Sequence, residues 1–350
     1  MISRAATLGL IVCSAAIAQT KPLIDFPTPN RALLAGQPER FFMYVTRTFE
    51  GKESTPWQGG TYGFVRGPVR QGPGIVYLHH HEGIDIAPVH RDPAGNPMDP
   101  IFAAASGTVV YVNEKPSTSN YGKYLVIEHV IEGSRYYSLY AHLSSIAATV
   151  GSTVRQGEKV GVMGYTGVGL NRERAHLHFE FALLISPYFA QWFPADSTKD
   201  PNPHRNFNGR NLIGIDPTSL ILAARKSPDT FRLDSYLRSA PSTFRIVVPN
   251  TQAFNLVQRY PWLNDSGSSA AEAWILSFSE HGVPVRATPA EKGASSASAL
   301  DVSAPADIPI ARATRGLLAG SHSRPTLTSA GSQLARLLTE RPPIANAGDL

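Results

Sequence analysis

The protein has 350 residues, of which 42% are hydrophobic and 17% charged, and its formal net charge at pH 7 is +5. This composition is typical of a folded chain and excludes wholesale disorder, and the length allows one well-packed domain with a second, smaller one. The mild positive charge is compatible with an anionic polymer or membrane surface, whereas the lack of a dense Lys/Arg cluster with interleaved aromatic residues argues against nucleic-acid binding.

The first eighteen residues have the pattern of a signal peptide. Arg4 precedes an apolar run from Ala5 to Ala15, and Ala16-Ile17-Ala18 forms an A-x-A cleavage site. We therefore expect export to the periplasm or the extracellular space, with cleavage near Ala18. Lipidation at Cys13 or a retained anchor is the alternative, although the bulky Val12 is unfavourable for a lipobox.

The cysteine content limits the chemistry of the mature chain. Cys13 is the only cysteine, and it would leave with the signal peptide. The mature protein would then have no disulfide and no cysteine nucleophile, so its metal ligands must be His, Asp or Glu. No later stretch reaches about 18 consecutive apolar residues, and we expect no transmembrane segment in the mature chain.

Residues 19–60 are predicted to form a loosely held, Pro-rich arm up to residue 40 and then a lead-in strand, in which Phe41, Met43 and Val45 alternate with other residues. From residue 61, short runs rich in Val, Ile, Tyr and Phe are separated by Gly, Asn and Ser turns. This pattern indicates a mainly antiparallel β domain with a folded or closed sheet. The predicted strands are Val109–Val112, Tyr124–Glu128, Tyr136–Ala141, Lys159–Met163 and His176–Phe181.

Two short motifs about a hundred residues apart carry the candidate chemistry. His81-Glu82-Gly83-Ile84-Asp85 and His176-Leu177-His178 each place two polar side chains on one face of an extended strand, because residues two or four apart point the same way. Zinc binds three or four N, O or S ligands at about 2.0–2.2 Å, and catalytic sites leave one position open for water. Two histidines and one aspartate would meet this requirement.

Five further motifs lie between these two. They are Ala103–Val109, Tyr121–His129, Tyr140–Ser144, Val154–Gly157 and Gly164–Gly167. Together, in this order, the seven motifs resemble the lysostaphin and LytM-type zinc endopeptidases, which cut peptidoglycan peptides. The resemblance covers roughly residues 60–217 and implies a LytM-type zinc peptidase domain over 61–217, with an antiparallel β-sheet of the barrel-sandwich kind.

The same resemblance implies the roles of individual residues. His81, Asp85 and His178 would hold zinc (Zn2+), while His142 and His176 would flank the open position as catalytic residues. With an unperturbed pKa near 6.5, either of these two histidines could orient the water, take its proton or stabilise the oxyanion. The sequence does not divide these roles between them.

The triplet His79-His80-His81 leaves one alternative open. His79 would share a strand face with His81, while His80 would point the other way. His79 could therefore lie beside the metal or the substrate, or it could face solvent.

Residues 218–350 lie beyond the resemblance and are predicted to form a small mixed α/β region of unknown role, interrupted by an Ala/Ser-rich linker at 287–299. It could bind wall polymer, pack against the peptidase domain, gate the groove or contact another cell-envelope protein. The predicted elements are helices at Leu220–Ala224 and Gln333–Thr339 and strands at Phe244–Val248 and Trp274–Phe278.

The expected function is that of a secreted or periplasmic zinc endopeptidase acting on the stem peptides or cross-links of peptidoglycan. The alternative is a non-catalytic LytM-like protein that binds the cell wall or activates an amidase. A regulator has no chemical need for three metal ligands and two flanking histidines together. The presence of all five residues therefore favours the enzyme.

Overall fold

The computed structural model describes residues 21–196, 202–267 and 271–342. The predicted signal peptide and Cys13 lie outside these ranges. No helix in the described part of the chain is both long enough and apolar enough to cross a membrane.

The N-terminal segment packs closely against the rest of the protein, in contrast to the loosely held arm that its proline content predicts. Ile24 and Phe26 are buried in the main core. The side-chain amide of Asn30 donates hydrogen bonds to the carbonyls of Arg40 at 3.0 Å and Ala87 at 2.9 Å. These contacts join the segment to the chain just after the first candidate motif.

The lead-in to the domain differs from the predicted strand. Helix α1 (Pro38–Phe41) is a single turn that begins at a proline, as the fixed φ of proline favours. Phe42 then forms an isolated bridge with Ile86. The alternation of Phe41, Met43 and Val45 does not produce a strand. Phe41 is the last residue of α1, and Phe41, Phe42 and Met43 are all buried.

The regular structure from there to residue 217 consists mainly of short strands joined by turns and loops. Helix α2 (Phe189–Asp196) follows the longest buried strand. The strands are β1 (Arg47–Phe49), β2 (Lys52–Ser54), β3 (Gly63–Gln71), β4 (Gly74–His81), β5 (Ile84–Ile86), β6 (Pro100–Phe102), β7 (Gly107–Asn113), β8 (Tyr124–Ile131), β9 (Ser134–Ala141), β10 (Ser145–Ile146), β11 (Thr153–Val154), β12 (Lys159–Val162), β13 (Leu177–Leu184) and β14 (Leu212–Ile215).

The main sheet has the strand order β11-β7-β8-β9-β13-β14, and β5 also pairs with β13. All of these pairs are antiparallel. A smaller sheet has the order β10-β12-β6, and β3 and β4 form a separate hairpin. The predicted mainly β fold is confirmed, and each of the five predicted strands overlaps an observed strand whose ends differ by a few residues.

Strand β13 explains how polar groups come to be buried in this sheet. All of its residues are buried, because both faces of the sheet are covered. Leu177 and Phe179 point into the main core, whereas Ala182 belongs to a second apolar cluster on the opposite face. Since side chains alternate along a strand, His178 and Glu180 share the face of Ala182. The fold thus places two ionisable side chains inside the protein.

The C-terminal region contains both helices and strands. The elements are α3 (Pro217–Lys226), α4 (Leu233–Arg238), β15 (Phe244–Pro249), α5 (Leu256–Arg259), β16 (Ala273–Phe278), β17 (Pro284–Pro289), β18 (Ser298–Val302), α6 (Ile310–Ala313), β19 (Leu318–Ser321), β20 (Arg324–Leu327) and α7 (Ser329–Thr339). Four of the strands form an antiparallel sheet with the order β17-β16-β15-β18, and β19 and β20 form a hairpin. The four predicted elements lie within α3, α7, β15 and β16.

The segment 287–299 differs from the predicted linker. It begins inside β17 and ends inside β18, and both strands belong to the same sheet. Its Ala- and Ser-rich composition is compatible with these strands because small side chains pack there: Ala287 is buried in the core cluster and Ala299 packs against it. The connection between the two strands is limited to residues 290–297.

Hydrogen bonds join the C-terminal region to the main sheet. Arg259 donates to the carbonyl of Leu184 at the end of β13, and the hydroxyl of Tyr260 accepts from the Leu184 amide at 2.9 Å. An ion pair of 3.0 Å links Arg315 with Glu82, the residue that follows His81. The C-terminal region therefore contacts both segments that carry the candidate site.

Candidate metal centre and flanking histidines

Three side chains meet where β4, β5 and β13 come together. His81 ends β4, Asp85 is the middle residue of β5, and the register of β5 with β13 pairs Asp85 directly with His178. His81 Nε2 lies 3.2 Å from Asp85 Oδ1 and 3.1 Å from His178 Nδ1, and the last two atoms are 3.0 Å apart. All three side chains are buried, and together they could hold a metal ion.

Gly83 lets the two strands approach each other between these residues. A Cβ atom at Gly83 would lie 2.3 Å from the carbonyl oxygen of Phe179, which no side chain can tolerate. This close neighbour belongs to the backbone of β13, and the glycine therefore allows β5 to pair beside His178.

The outer nitrogen atoms of the two imidazoles are fixed by hydrogen bonds. Nδ1 of His81 lies 2.8 Å from the carbonyl oxygen of Thr61. A carbonyl only accepts, so Nδ1 carries the proton and Nε2 has a lone pair facing the cluster. Nε2 of His178 lies 2.9 Å from Oε1 of Glu180, which also accepts a hydrogen bond of 2.6 Å from the Tyr121 hydroxyl. Such outer partners set the tautomer and orientation of metal ligands.

Charge is concentrated in this buried cluster. Burial by itself would raise the pKa of Asp85, but the neighbouring charges of His176 and His81 hold that pKa well below its usual range. Burial would likewise lower the pKa of His178, but hydrogen bonds to Asp85 and Glu180 raise it to about 9. Without a metal ion, the His178 proton thus compensates the Asp85 carboxylate, and an incoming cation must displace it.

The donor atoms suit zinc in both kind and spacing. Tetrahedral coordination at about 2.0–2.2 Å separates neighbouring ligand atoms by about 3.3–3.6 Å. The observed separations of 3.0–3.2 Å are a few tenths of an ångström shorter, so little movement is needed. Two imidazole nitrogens and one carboxylate oxygen also form the mixed N/O set that catalytic zinc sites use, with the fourth position left for water.

His142 and His176 lie beside this cluster. Their ring centroids are 4.8 Å apart, and Nε2 of His176 is 3.4 Å from Oδ1 of Asp85. In both residues Nδ1 donates to a backbone carbonyl, that of Thr166 at 3.0 Å and that of Arg174 at 2.6 Å. Both rings therefore have an unprotonated Nε2 when neutral. The structure thus brings together all five residues that the sequence selects.

The backbone of His142 is unusual. Its φ of 65° lies in the left-handed region, where residues with a Cβ atom are uncommon. A hydrogen bond of 2.9 Å from its amide to the carbonyl of Tyr121 helps to hold it. Strain of this kind often occurs at functional positions. Burial, followed by the charges of His176 and His178, holds the pKa of His142 well below its usual range, so its ring is neutral.

The other histidines of the triplet have different surroundings. His79 is exposed and packs over Gly67, outside the buried cluster. His80 points to the opposite side of the strand, where its Nε2 lies 3.2 Å from Nδ1 of His281 in the C-terminal region. Of the two positions that the sequence leaves open for His79, the structure places it at the solvent-facing one.

Sequence reasoning assigned no role to three side chains at the site. Glu180 and Tyr121 hold His178 from outside, and the guanidinium of Arg66 lies 2.6 Å from Oδ2 of Asp85. Glu180 could have been found, because it follows His178 by two residues and so shares its strand face. Arg66 carries no comparable signal in the sequence, since its position depends on how the β3–β4 hairpin bends.

Comparison with known proteins shows the family of the chain. The model of peptidase family M23 matches residues 79–187, which contain all five candidate site residues. The lipoprotein NlpD of Yersinia enterocolitica is 36% identical over 89 residues, which is 25% of this chain and 82% of that protein. The chain belongs to peptidase family M23. The LytM-type resemblance of the sequence is therefore confirmed.

Other M23 relatives differ in their described roles. The peptidoglycan DD-endopeptidase ShyB of Vibrio cholerae is 35% identical over 120 residues, covering 34% of this chain and 24% of that protein. The murein hydrolase activator NlpD of Escherichia coli is 34% identical over 100 residues, covering 29% of this chain and 22% of that protein. The chain spans about a quarter or less of the length of the first curated relatives that it matches.

Solved structures are also similar to part of the chain. A zinc-containing peptidase from Vibrio cholerae is 24% identical, with a TM-score of 0.27 over 46% of this chain and 37% of that one. The catalytic domain of lysostaphin from Staphylococcus simulans is 23% identical, with a TM-score of 0.24 over 39% of this chain and 79% of that one.

Proposed function

We propose that this protein is an exported zinc endopeptidase that hydrolyses peptide bonds in the stem peptides or cross-links of peptidoglycan. The observation that carries the proposal is the convergence of His81, Asp85 and His178 beside two further histidines. The three donor atoms lie within 3.0–3.2 Å of one another, and His142 and His176 adjoin them. A purely structural cluster has no need of five buried polar side chains of these types.

In this proposal His81, Asp85 and His178 hold the metal. A zinc ion bound there would supply a Lewis acid for the scissile carbonyl and would lower the pKa of a bound water to about 7. Thr61 and Glu180 keep the two imidazoles in the orientation that binding requires, because each takes a hydrogen bond from the outer ring nitrogen. The chain thus provides a rigid set of ligands in a buried site.

His142 and His176 would carry the proton chemistry. Each ring is oriented by a hydrogen bond from Nδ1 to a carbonyl, so Nε2 is the atom that can accept a proton. The lowered pKa of His142 keeps its ring neutral, so that its Nε2 could accept a hydrogen bond or a proton from the water. Nε2 of His176 lies 3.4 Å from Oδ1 of Asp85, so this ring adjoins the metal ligands and could orient the water or a developing oxyanion by a hydrogen bond.

The substrate assignment rests on the M23 relatives. The proteins ShyB and ShyA of Vibrio cholerae are described as peptidoglycan DD-endopeptidases. Peptidoglycan lies outside the cytoplasm, which agrees with the predicted signal peptide and with relatives that are described as lipoproteins. We further propose that residues 61–217 form the peptidase domain and that residues 218–350 form an accessory region held against it.

A second candidate function is activation of another wall hydrolase without catalysis. The similarity to the murein hydrolase activator NlpD of Escherichia coli favours it. The two functions make different demands on the site, because an activator does not need His142 and His176 as proton carriers. A direct assay of the zinc-loaded protein therefore separates them.

The test is digestion of purified peptidoglycan by the zinc-loaded mature chain, followed by mass spectrometry of the released muropeptides. Cleavage products that disappear in the His176→Ala variant support the endopeptidase. Stimulation of a purified amidase by both wild-type and His176→Ala protein, without cleavage by either alone, would establish the activator instead. A digest that shows neither effect contradicts both functions.

A further inference from the structure

Arg66 reaches the candidate metal centre from a strand that contributes none of its ligands. We propose that Arg66 is a positioning residue that holds one oxygen of Asp85 and thereby presents the other to the metal ion. The inference rests on the proposed zinc site. It assigns a function to β3, the strand of the β3–β4 hairpin that carries no metal ligand.

A bulge in the hairpin directs Arg66 towards the site. Phe64 pairs with His80 and Arg66 with His79, so β3 has one extra residue opposite β4. Bulges of this kind change the direction in which a side chain points. Gly67 follows with a φ of 62°, and a Cβ atom there would lie 2.6 Å from the ring of His79. The local backbone is thus specialised at the point where Arg66 turns inward.

The guanidinium of Arg66 is fixed at both ends. Its Nε donates to the carbonyl of Gly59 at 2.9 Å, and its Nη2 donates to Oδ2 of Asp85 at 2.6 Å. A planar fork held by two acceptors has little freedom to rotate. Arg70, on the same strand, pairs with Glu50 at the surface and does not approach the site.

The two oxygens of Asp85 have separate partners. Oδ1 faces His81, His176 and His178 at 3.2, 3.4 and 3.0 Å, whereas Oδ2 accepts from Arg66. The carboxylate therefore offers a single oxygen to the cluster, as tetrahedral zinc requires. Without Arg66 the buried Oδ2 would lose a charged partner, and the carboxylate could rotate or bind the ion through both oxygens.

Arg66 also carries a charge that opposes a metal cation. Its Nη2 lies 3.2 Å from Nε2 of His81, so the guanidinium approaches a second ligand atom as well as Asp85. If repulsion between the guanidinium and the zinc ion dominated, or competition between them for the ligand atoms, removal of Arg66 would strengthen zinc binding. If positioning dominates, removal weakens binding, typically by ten- to a hundredfold for partners of metal ligands. The guanidinium is held by both Gly59 and Asp85, and the two Asp85 oxygens have separate partners, so we expect positioning to dominate. Positioning and repulsion change the zinc affinity in opposite directions, and the measurement therefore separates them.

The experiment measures the zinc affinity of the mature chain by competition with a chromogenic chelator, which requires no substrate. The variants are Arg66→Gln, Arg66→Lys and the matched control Arg70→Gln, which removes the same charge from the exposed part of β3. Thermal unfolding of each metal-free protein checks that it folds. If the wild type binds no zinc, the proposed function fails and not merely the role of Arg66.

With zinc bound by the wild type, we expect Arg66→Gln to weaken binding at least tenfold and Arg70→Gln to leave it within twofold. A loss smaller than tenfold, or any gain in affinity, would overturn the proposal. If Arg66→Gln does not fold, the visible absorption of the cobalt-substituted Arg66→Lys protein decides. Weaker absorption, from a rise in coordination number as Asp85 binds through both oxygens, supports positioning, and an unchanged spectrum overturns it.

Discussion

Nε2 of His178 lies 2.9 Å from Oε1 of Glu180, two residues further along the same strand. The carboxylate is fully buried and is shared with the Tyr121 hydroxyl. Burial would raise the pKa of Glu180, but the hydrogen bond and charge of His178 lower it, so the side chain is ionised. A buried negative charge behind a histidine strengthens that histidine as a metal ligand.

We therefore predict that Glu180→Gln weakens zinc binding by about ten- to a hundredfold, since the amide keeps the shape of the carboxylate but not its charge. Tyr121→Phe should have a smaller effect, because Glu180 retains His178 as a partner. Chelator competition gives both affinities. Equal zinc affinity in Glu180→Gln and the wild type would show that the carboxylate serves packing alone.

Substitution of either flanking histidine should reduce activity without loss of zinc, which distinguishes these two residues from the metal ligands. We predict that His176→Ala and His142→Asn each lower kcat/KM on muropeptides by at least about a hundredfold, which is the usual contribution of a positioned acid or base. Asparagine is chosen at 142 because it tolerates the positive φ. Zinc content, measured by elemental analysis, should remain at the wild-type ratio. Loss of the metal in either variant would assign that histidine to the ligand set instead.

Zinc should also stabilise the folded protein. An ion that binds only the folded state raises the free energy of unfolding by about 2.7 kcal/mol when its free concentration is a hundredfold above Kd. Denaturant unfolding with and without zinc measures this increment. Asp85→Asn preserves the size of the side chain but removes the charged ligand, and we expect the increment to fall sharply in that variant. A wild-type increment that survives in Asp85→Asn would place the ion elsewhere.

Away from the site, His129 should make stability depend on pH. Burial, opposed only in part by the hydrogen bond to the Ser106 carbonyl, lowers its pKa to about 4. The unfolded chain therefore binds the proton first as the pH falls. The contribution of the neutral His129 to the free energy of unfolding, on the order of 3 kcal/mol, is fully present above about pH 6.5. It is lost as the pH falls from there to about pH 4.

The comparison variant for this prediction is His129→Gln, which does not titrate. Its free energy of unfolding will be lower than that of the wild type at pH 7, but the difference between the two proteins should shrink as the pH falls from 6.5 to 4. Urea unfolding at several pH values measures it. A difference that is constant over this interval would mean that His129 keeps an ordinary pKa in the folded protein.

The site residues were predictable from sequence to the extent that strand alternation determines where they point. His178 and Glu180 share a face for the same reason that Leu177 and Phe179 share the opposite one. The order of motifs then identifies which distant segments meet. Arg66 could not be found in this way, because its direction depends on a bulge and on an anchor at the Gly59 carbonyl.

The weakest predictions concerned segments whose composition conflicts with their packing. Prolines and polar residues before position 40 suggest a mobile arm, yet Ile24 and Phe26 are buried and Asn30 is hydrogen-bonded across the chain. Small residues at 287–299 suggest a linker, yet parts of the segment pair within a sheet. In both cases tertiary contacts outweigh the local preference, and a single sequence does not reveal them.

Gly122 offers a test of how far the site depends on its surrounding backbone. It has a φ of 62°, and a Cβ atom there would lie 2.3 Å from the carbonyl carbon of Thr166. The Thr166 carbonyl accepts the hydrogen bond that orients His142. We predict that Gly122→Ala displaces this segment, misaligns the His142 ring and lowers kcat at least tenfold, because catalysis is sensitive to displacements of about 1 Å.

Gly133 is the matched control for Gly122. It also has a positive φ, of 78°, but a Cβ atom there would meet nothing within 4 Å. Gly133→Ala should therefore cost about 1 kcal/mol of stability from backbone strain and leave kcat unchanged. Gly122→Ala adds the steric conflict to the same strain, so it should be less stable than Gly133→Ala as well as slower. Equal turnover in the two variants would show that the Thr166 carbonyl does not control His142.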